Sequence, residues 1–270
     1  MKINEKLSIF VDSYDGNSDV WENYFKIFNY YWNDCKYPLY LVANEADYKY
    51  KNLKVLKVGK NREWFRCTLN ALYEIDSKYI MFLLDDHYFS KKMKNEDVEE
   101  IISTMEEKQL FFYRLSPCGE VDVEKKRKKV MTSFVYAINL QPAIWERAVF
   151  INYLEQLVAM GCKTPWEFER YFIEKFSQSK ENKEIEGVMY DTRDLMGYKN
   201  AIIQGKWVRH VLNYYNRNTE LRLSPGKRPY MSVSSEIFDI LKRFSHRFLD
   251  YEKRKRIKKI MSKIGIKFMT

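Results

Sequence analysis

Apolar and polar positions alternate along this chain in blocks that change period. Residues 6–12, "KLSIFVD", form a short apolar run that reads as a buried strand. The turn-like "SYDGNSD" follows, and then "DVWENYFKIFNYYWND" places Val20, Tyr24, Ile27, Phe28 and Tyr31 at helical spacing, with Ser18 as a candidate N-cap. Residues 37–43, "YPLYLVA", and 53–58, "LKVLKV", predict a second and a third strand. "REWFRCTLNALYEID" predicts a helix, and the run Tyr79 to Leu84 a fourth strand. Further on, 97–107 is an amphipathic helix, "LFFYRLSP" a strand and "EVDVEKKRKKV" a solvated loop or hairpin. "MTSFVYAINLQPAIWERAVF" reads as a strand entering a Pro-containing turn and then a helix. "KTPWEFERYFIEKF" opens another helix, whereas "VMYDTRD" and "AIIQGKWVRHVL" look like short excursions.

The order β-α-β-β-α-β predicts an α/β fold, a mixed and mostly parallel sheet with helices on both faces. Sites in such sheets lie at the carboxyl ends of the strands. Asp12 and Ser13, Asn44 and Glu45, and Asp85-Asp86-His87 would gather along that edge. A composition shift near Pro229 divides the chain into a catalytic domain, residues 1–230, and a helical tail, residues 231–270. Ile237, Leu241, Phe244 and Phe248 fall on one helical face of that tail, and Ile257, Ile260, Met261 and Ile264 on another.

Charge sharpens the picture at the tail. The formal net charge is +10, and residues 251–270 hold eight Lys/Arg against one Glu. Basic amphipathic helices of this kind lie on anionic membrane surfaces, or pack on the domain before them or on a second subunit. The 21 tyrosines make the chain aromatic-rich, as in proteins that bind sugars or bases. The four cysteines have neither CxxC spacing nor a disulfide-framework pattern. No stretch has the length of a signal peptide's apolar core or of a membrane span. The expected location is the cytoplasm, with peripheral attachment to the inner face of the cell membrane as an option.

Glycine-rich phosphate loops of the GxGxxG and GxxxxGK[ST] types are missing, as are a serine elbow and HExxH. That argues against classical dinucleotide enzymes and P-loop NTPases. The strongest local signal is "LLDDHYF", two carboxylates and an imidazole closing an apolar strand. Hard divalent cations take oxygen ligands, and Mg²⁺ or Mn²⁺ often joins one or two carboxylates to a diphosphate. The structural alternative is that the acids cap the next turn or pair with Lys91 and Lys92.

In "KTPWEFERYF", Thr164 is placed as N-cap and Pro165 as the first helical residue. Glu167 then takes the capping-box position, where its carboxylate turns back to the Thr164 amide. Glu169 lies about 200° round the helix from Glu167, so the two acids cannot share one face.

These features resemble the GT-A fold glycosyltransferases. "LLDDHYF" looks like their acidic DxD motif, and "SFVYAINLQPAIWERAVF" with "KTPWEFERYF" resembles the acceptor side of bacterial enzymes that build capsule and lipopolysaccharide. The resemblance spans roughly residues 6–215. It implies transfer from a nucleotide-sugar donor, a UDP-sugar by expectation, to a saccharide or lipid-linked acceptor, metal-assisted and inverting. Carried over by position, Asp12, Ser13, Tyr14, Glu45, Arg62, Trp64 and Asp85 would meet the donor. Asp86 would hold a divalent cation, Mn²⁺ or Mg²⁺. The third motif position is His87 rather than Asp, which leaves the metal to Asp86, to His87, or absent. His210 is a further candidate ligand, with a plain surface histidine as the alternative. Gln141, Trp145 and Trp166 would line the acceptor. Glu169 is the favoured catalytic base because it has no capping role, with Glu167 the other candidate. Other classes are a metal-dependent phosphoesterase and a basic, aromatic-rich nucleic-acid binder. The first would need more ligands than three histidines readily supply, and the second lacks any motif, so no nucleic-acid partner is expected.

Overall fold

The structure is a computed structural model that describes residues 6–60, 63–117, 126–134, 136–177 and 181–237. The expected tail therefore lies, beyond Ile237, outside the described residues, as does Arg62. The chain divides into two compact units, Met1–Ala201 and Ile202–Thr270.

The first unit is built on an eight-stranded sheet in the order β3-β2-β1-β4-β8-β6-β9-β7. Its strands are β1 (Leu7–Asp12), β2 (Leu39–Ala43), β3 (Leu53–Lys57), β4 (Tyr79–Leu84), β6 (Phe112–Arg114), β7 (Arg127–Met131), β8 (Ala143–Glu146) and β9 (Glu184–Asp191). Pairs β1–β2, β1–β4, β2–β3 and β6–β9 are parallel. Strand β8 runs antiparallel to both β4 and β6, and β7 antiparallel to β9. It follows that β1, β2, β3, β4, β6 and β9 all point the same way, and their carboxyl ends share one edge. A short ribbon pairs β5 (His87–Tyr88) with β10 (Lys199–Asn200) beside that edge.

Helices are α1 (Ser18–Tyr31), α2 (Trp64–Tyr73), α3 (Asn95–Glu107), α4 (Arg147–Ala159) and α5 (Pro165–Ser177). Successive strand residues face opposite sides. Phe10, Ile80, Phe82, Phe112 and Trp145 pack with Phe65, Leu69 and Leu72 of α2, Phe150 and Leu154 of α4, and Phe168 and Phe172 of α5. The alternate residues Ile9, Val11, Met81, Leu83 and Ile144, on the opposite face, are buried too, as are Val20, Tyr24, Ile27 and Phe28 of α1 and Val98, Ile101, Ile102 and Met105 of α3. The mixed α/β sheet with helices on both faces is thus as the sequence implies.

Three segments differ from their sequence reading. The basic run at 127–131 is edge strand β7 of the sheet rather than a solvated loop, and it ends at Met131, where the sequence pattern starts the next strand. Pro142 does not lead into a helix. It precedes β8, a central strand, and α4 starts only at Arg147. The "VMYD" excursion is the end of β9, whose apolar pattern is broken at Gly187. That residue has a φ of +72°, and a Cβ there would lie 2.6 Å from the Phe111 ring, so only glycine lets the strand pass.

In the second unit, β11 (Ile202–Ile203) and β12 (Lys206–Trp207) form a hairpin turned by Gln204 and Gly205, both at positive φ. Helix α6 (Arg209–Asn218) follows, its first amide, Arg209 N–H, donating to Glu236 Oε1 at 2.7 Å.

Trp145 sits at the centre of the first unit's core, 0% exposed and stacked on Phe150 at 4.7 Å. Trp145→Ala should therefore destabilise the fold by about 3–5 kcal/mol, read as a lower midpoint in urea unfolding. A change below about 1 kcal/mol would contradict that packing.

Candidate active site

The β1–β4 register pairs Asp12 with Leu84, so Ser13 leaves β1 beside Asp85 leaving β4. Asp85 is buried and must find donors within the chain. Its Oδ2 accepts the Ser13 hydroxyl, and its Oδ1 accepts Asn17 Nδ2–H at 3.1 Å. Ser13 Oγ in turn accepts the Trp21 indole N–H at 2.7 Å. Asp12 accepts the Trp64 indole N–H at 2.5 Å and the Thr68 hydroxyl at 3.4 Å.

Asp15 ties in the next strand end. Its Oδ1 accepts the Asn44 amide at 2.8 Å, and its Oδ2 accepts those of Glu45 at 3.0 Å and Ala46 at 3.1 Å. Asn44 Nδ2–H donates to Gly59 O at 3.1 Å, past β3. The ends of β1, β2, β3 and β4 are therefore laced into one polar floor.

Asp86 has a different situation from Asp85. Its side chain is 30% exposed, yet Oδ1 is buried with no hydrogen-bond partner. His87 points into the protein on β5. Burial pushes its pKa down to about 3, so it is neutral. Its Nε2 lies 3.8 Å from Asp86 Oδ1, its ring packs on Tyr198 at 4.7 Å, and its Nδ1 has no partner. Asn200, the cross-strand neighbour of His87, also has a buried Oδ1 without a partner.

Burial is the largest cause of the shift at each of the three aspartates. It raises Asp12, Asp85 and Asp86 each to about 7, with the Asp86 charge adding to the rise at Asp85.

The acceptor-side candidates lie on β8 and α5. Glu167 is a capping residue, as its spacing implies. Its Oε2 accepts the Thr164 amide at 2.7 Å, the Lys163 amide at 2.8 Å and the Thr164 hydroxyl at 2.8 Å. Those bonds hold its pKa down. Glu169 is half-buried, its pKa is raised by burial, and its Oε1 lies 3.5 Å from the Leu140 amide. Trp166 is 68% exposed. Gln141 Oε1 accepts from Arg114, so its amide positions that arginine. Trp145 belongs to the core and presents no surface to an acceptor, a correction that follows from β8 being a central strand.

Other donor-side candidates scatter. Tyr14 is exposed and lies over Gly16, where a Cβ would meet its ring at 2.3 Å. Glu45 is exposed with Lys60 3.9 Å away. The Trp64 indole is half-buried and bonded to Asp12, an anchor for the floor more than a free stacking face. His210 belongs to the second unit, where Nδ1 lies 3.3 Å from Glu236 Oε2.

Two residues at this edge carry no sequence motif. Arg114, at the carboxyl end of β6, is buried and lies close enough to Glu169 to act on its charge. Tyr198 is half-buried and its phenol is raised to about 12, chiefly by burial. The charges of Arg114, Asp194, Glu169 and Asp86 also act on it.

No protein-family model matches this chain, and no curated protein matches it in sequence. Solved structures resemble it in architecture. The 1–349 fragment of S. aureus TarS in complex with UDP-GlcNAc is 15% identical over 54% of this chain and 47% of that one, with a TM-score of 0.40. A cytidylyltransferase from Leptospira borgpetersenii serovar Hardjo-bovis is 13% identical over 91% and 98%, with a TM-score of 0.44. The mannosyltransferase PcManGT from Pyrobaculum calidifontis, in complex with GDP-Man and Mn²⁺, is 10% identical over 82% and 66%, with a TM-score of 0.41. This chain thus spans about half the length of the TarS fragment. The likeness is one of α/β architecture, and the chemistry of the edge rests on this chain's own residues.

The raised acids make stability depend on pH. Their folded pKa values, about 7, lie above the unfolded carboxyl value of ~3.9. Folding therefore takes up protons, and their stabilisation is full below pH ~4 and lost as pH rises through about 7. His87, lowered to about 3, acts in the opposite sense, and its contribution is largely gained by pH ~6.5. Above that only the acids remain. The melting temperature of the ligand-free protein should fall between pH ~6.5 and ~8, and Asp86→Asn should flatten the fall. A melting temperature that rises over that interval would show these acids to be ionised when folded.

Proposed function

We propose that the chain is a glycosyltransferase that moves a sugar from a nucleotide-sugar donor to a hydroxyl of a saccharide or lipid-linked acceptor. The observation that supports this reading is the presence of two carboxylates that both act on the Tyr198 phenol: Asp86 at the β4 end, with an oxygen that has no hydrogen-bond partner, and the half-buried Glu169 of α5. Transfer needs both: compensation for the leaving diphosphate on one side, and a proton acceptor for the incoming hydroxyl on the other.

The donor side takes the polar floor. Asp85 has both oxygens occupied by Ser13 and Asn17, so its part is to hold the loop after β1 in shape. Asp12, Ser13 and the exposed Tyr14 then border the nucleoside. Asp86 keeps a buried oxygen without a partner, which suits a hard divalent cation shared with substrate phosphates. A single carboxylate is enough for Mg²⁺-type binding of this kind. Such a cation would offset charge on the diphosphate as the glycosidic bond breaks. Among the described residues no three His, Cys, Asp or Glu are arranged to hold a metal by themselves, so the phosphates would complete the coordination. The same finding leaves the phosphoesterase reading without its ligand set among those residues.

On the acceptor side, Glu169 takes the proton. Its dry setting raises its affinity for a proton, as a general base requires. The acceptor oxygen bonds to the anomeric carbon, the carbon–phosphate-oxygen bond breaks with its electron pair on the diphosphate, and the configuration inverts. Trp166, exposed at the start of α5, offers an indole face to a sugar.

The test separates binding from turnover. A panel of nucleotide sugars with Mn²⁺ should raise the melting temperature of the protein, and Asp86→Asn should abolish the metal-dependent part. Glu169→Gln should keep donor binding and lower turnover by about 10²-fold or more. Glu167→Gln should lower stability slightly and leave turnover intact. If no nucleotide sugar binds, or if Glu169→Gln turns over normally, the reading fails.

A further inference from the structure

Arg114 is the one strongly basic side chain named at this edge that is nine-tenths buried, with an exposure of 9%. Its donors meet only neutral groups. Nε–H donates to Ser116 Oγ at 3.0 Å, Nη1–H to the Tyr136 carbonyl at 3.1 Å, and Nη2–H to Gln141 Oε1. Among the described residues no carboxylate forms an ion pair with it, although it acts on the charge of Glu169. A buried guanidinium without a counter-charge is costly, and three neutral acceptors fix its direction without neutralising it. Of the five N–H bonds of a guanidinium, three are used.

Its position within the sheet bears on what it would meet. Arg114 pairs with Ala143, and Ala143 with Phe82 on β4, so two strand spacings, about 10 Å, separate Arg114 from β4. Both strands run the same way, so Arg114 and Asp86 belong to the same edge. In the transferase reading the donor's diphosphate meets Asp86. Glu169 Oε1 lies 3.5 Å from the amide of Leu140, the residue before Gln141, which is a partner of Arg114. Tyr198 keeps its proton at neutral pH and can donate it in a hydrogen bond.

We propose that Arg114, held by Gln141, Ser116 and the Tyr136 carbonyl, is an oxyanion subsite on the acceptor side, and that the acceptor is an anionic molecule carrying a phosphate or carboxylate near the hydroxyl that Glu169 deprotonates. This rests on the transferase reading for the word acceptor, while the anion site itself rests on the guanidinium. The planar fork suits two oxygens of one anion, and the Tyr198 hydroxyl supplies a third contact. The anion would neutralise Arg114 and orient the acceptor. The nearby positive charge also keeps Glu169 from holding its proton too tightly, since Arg114 lowers the pKa that burial raises.

The experiment is a titration of the full chain with inorganic phosphate, methyl phosphate and acetate, each with and without saturating UDP, by calorimetry or thermal shift. Wild type should bind phosphate or acetate saturably with UDP present, and the tighter of the two identifies the anion. Arg114→Gln should weaken that binding about tenfold or more, and Arg114→Lys should fall between, because an ammonium is a point charge without the fork. Lys26→Gln, at an exposed helix position, should bind as wild type does. Should Arg114→Gln fail to fold, Arg114→Lys decides. Unchanged binding in the Arg114 variants, or no binding by wild type, overturns the subsite. Phosphate binding that UDP displaces overturns its place on the acceptor side and assigns Arg114 to the donor diphosphate. Nucleotide-sugar binding without anion binding sinks this inference alone; anion binding without nucleotide-sugar binding sinks the transferase reading alone.

Discussion

Burying the Asp85 carboxylate at the end of β4 is the constraint from which the rest of the edge follows. A desolvated carboxylate needs hydrogen bonds, and each one left unmade costs about 1–3 kcal/mol or more. The donors come from Ser13 and Asn17, so β1 must lie beside β4 in the register that puts Asp12 across from Leu84. Ser13 reaches Asp85 while accepting from Trp21, which couples the loop to α1. Asp15, two residues further, then has its own carboxylate aimed at the amides after β2. One buried acid thereby sets the shape of the loop after β1 and, through it, the spacing of three strand ends.

The two acidic pairs of the edge divide their work in the same way. In Asp85-Asp86, the first acid is consumed by hydrogen bonds from the chain and the second keeps an oxygen free. In Glu167 and Glu169, the first caps α5 and the second turns inward towards Leu140. The physical cause differs. Consecutive residues leaving a strand point to opposite sides, whereas residues two apart on a helix are about 200° apart. In both cases the structural acid lies within two residues of the available one, so the backbone that positions the second is fixed by the first.

The helical half of that division was legible in the sequence, because capping boxes and helical angles are local. The convergence of the polar strand ends was legible too, since parallel α/β sheets force their carboxyl ends to one edge. Residues whose roles arise from non-local pairing were not. "LFFYRLSP" reads as a strand, with nothing to mark its arginine as buried. Only the insertion of antiparallel β8 between β4 and β6 brings Gln141 to Arg114 and closes water off from it. The same strand hides Trp145, since an indole beside Pro142 and Glu146 reads as a surface group until β8 is known to be central. Tyr198 belongs to a segment with little periodicity, and its place depends on β10 pairing with β5.

What the acids have in common explains why such an edge suits electrostatic chemistry. At Asp12, Asp85, Asp86 and Glu169 the largest cause of the raised proton affinity is burial, ahead of any repulsion between them. His87 responds to the same dryness by losing its charge. The fold itself therefore keeps water from Asp12, Asp85 and His87, and limits its access to Asp86 and Glu169. In a medium of lower effective dielectric each charge that arrives interacts more strongly with those already fixed. The groups that meet it are held by backbone amides, indoles and hydroxyls, so little reorganisation is needed when charge develops. The folding free energy lost in desolvating these acids is thus the source of the edge's polarising strength. The indole bonds from Trp21 and Trp64 keep that cost in check, because they satisfy Ser13 and Asp12 without admitting water.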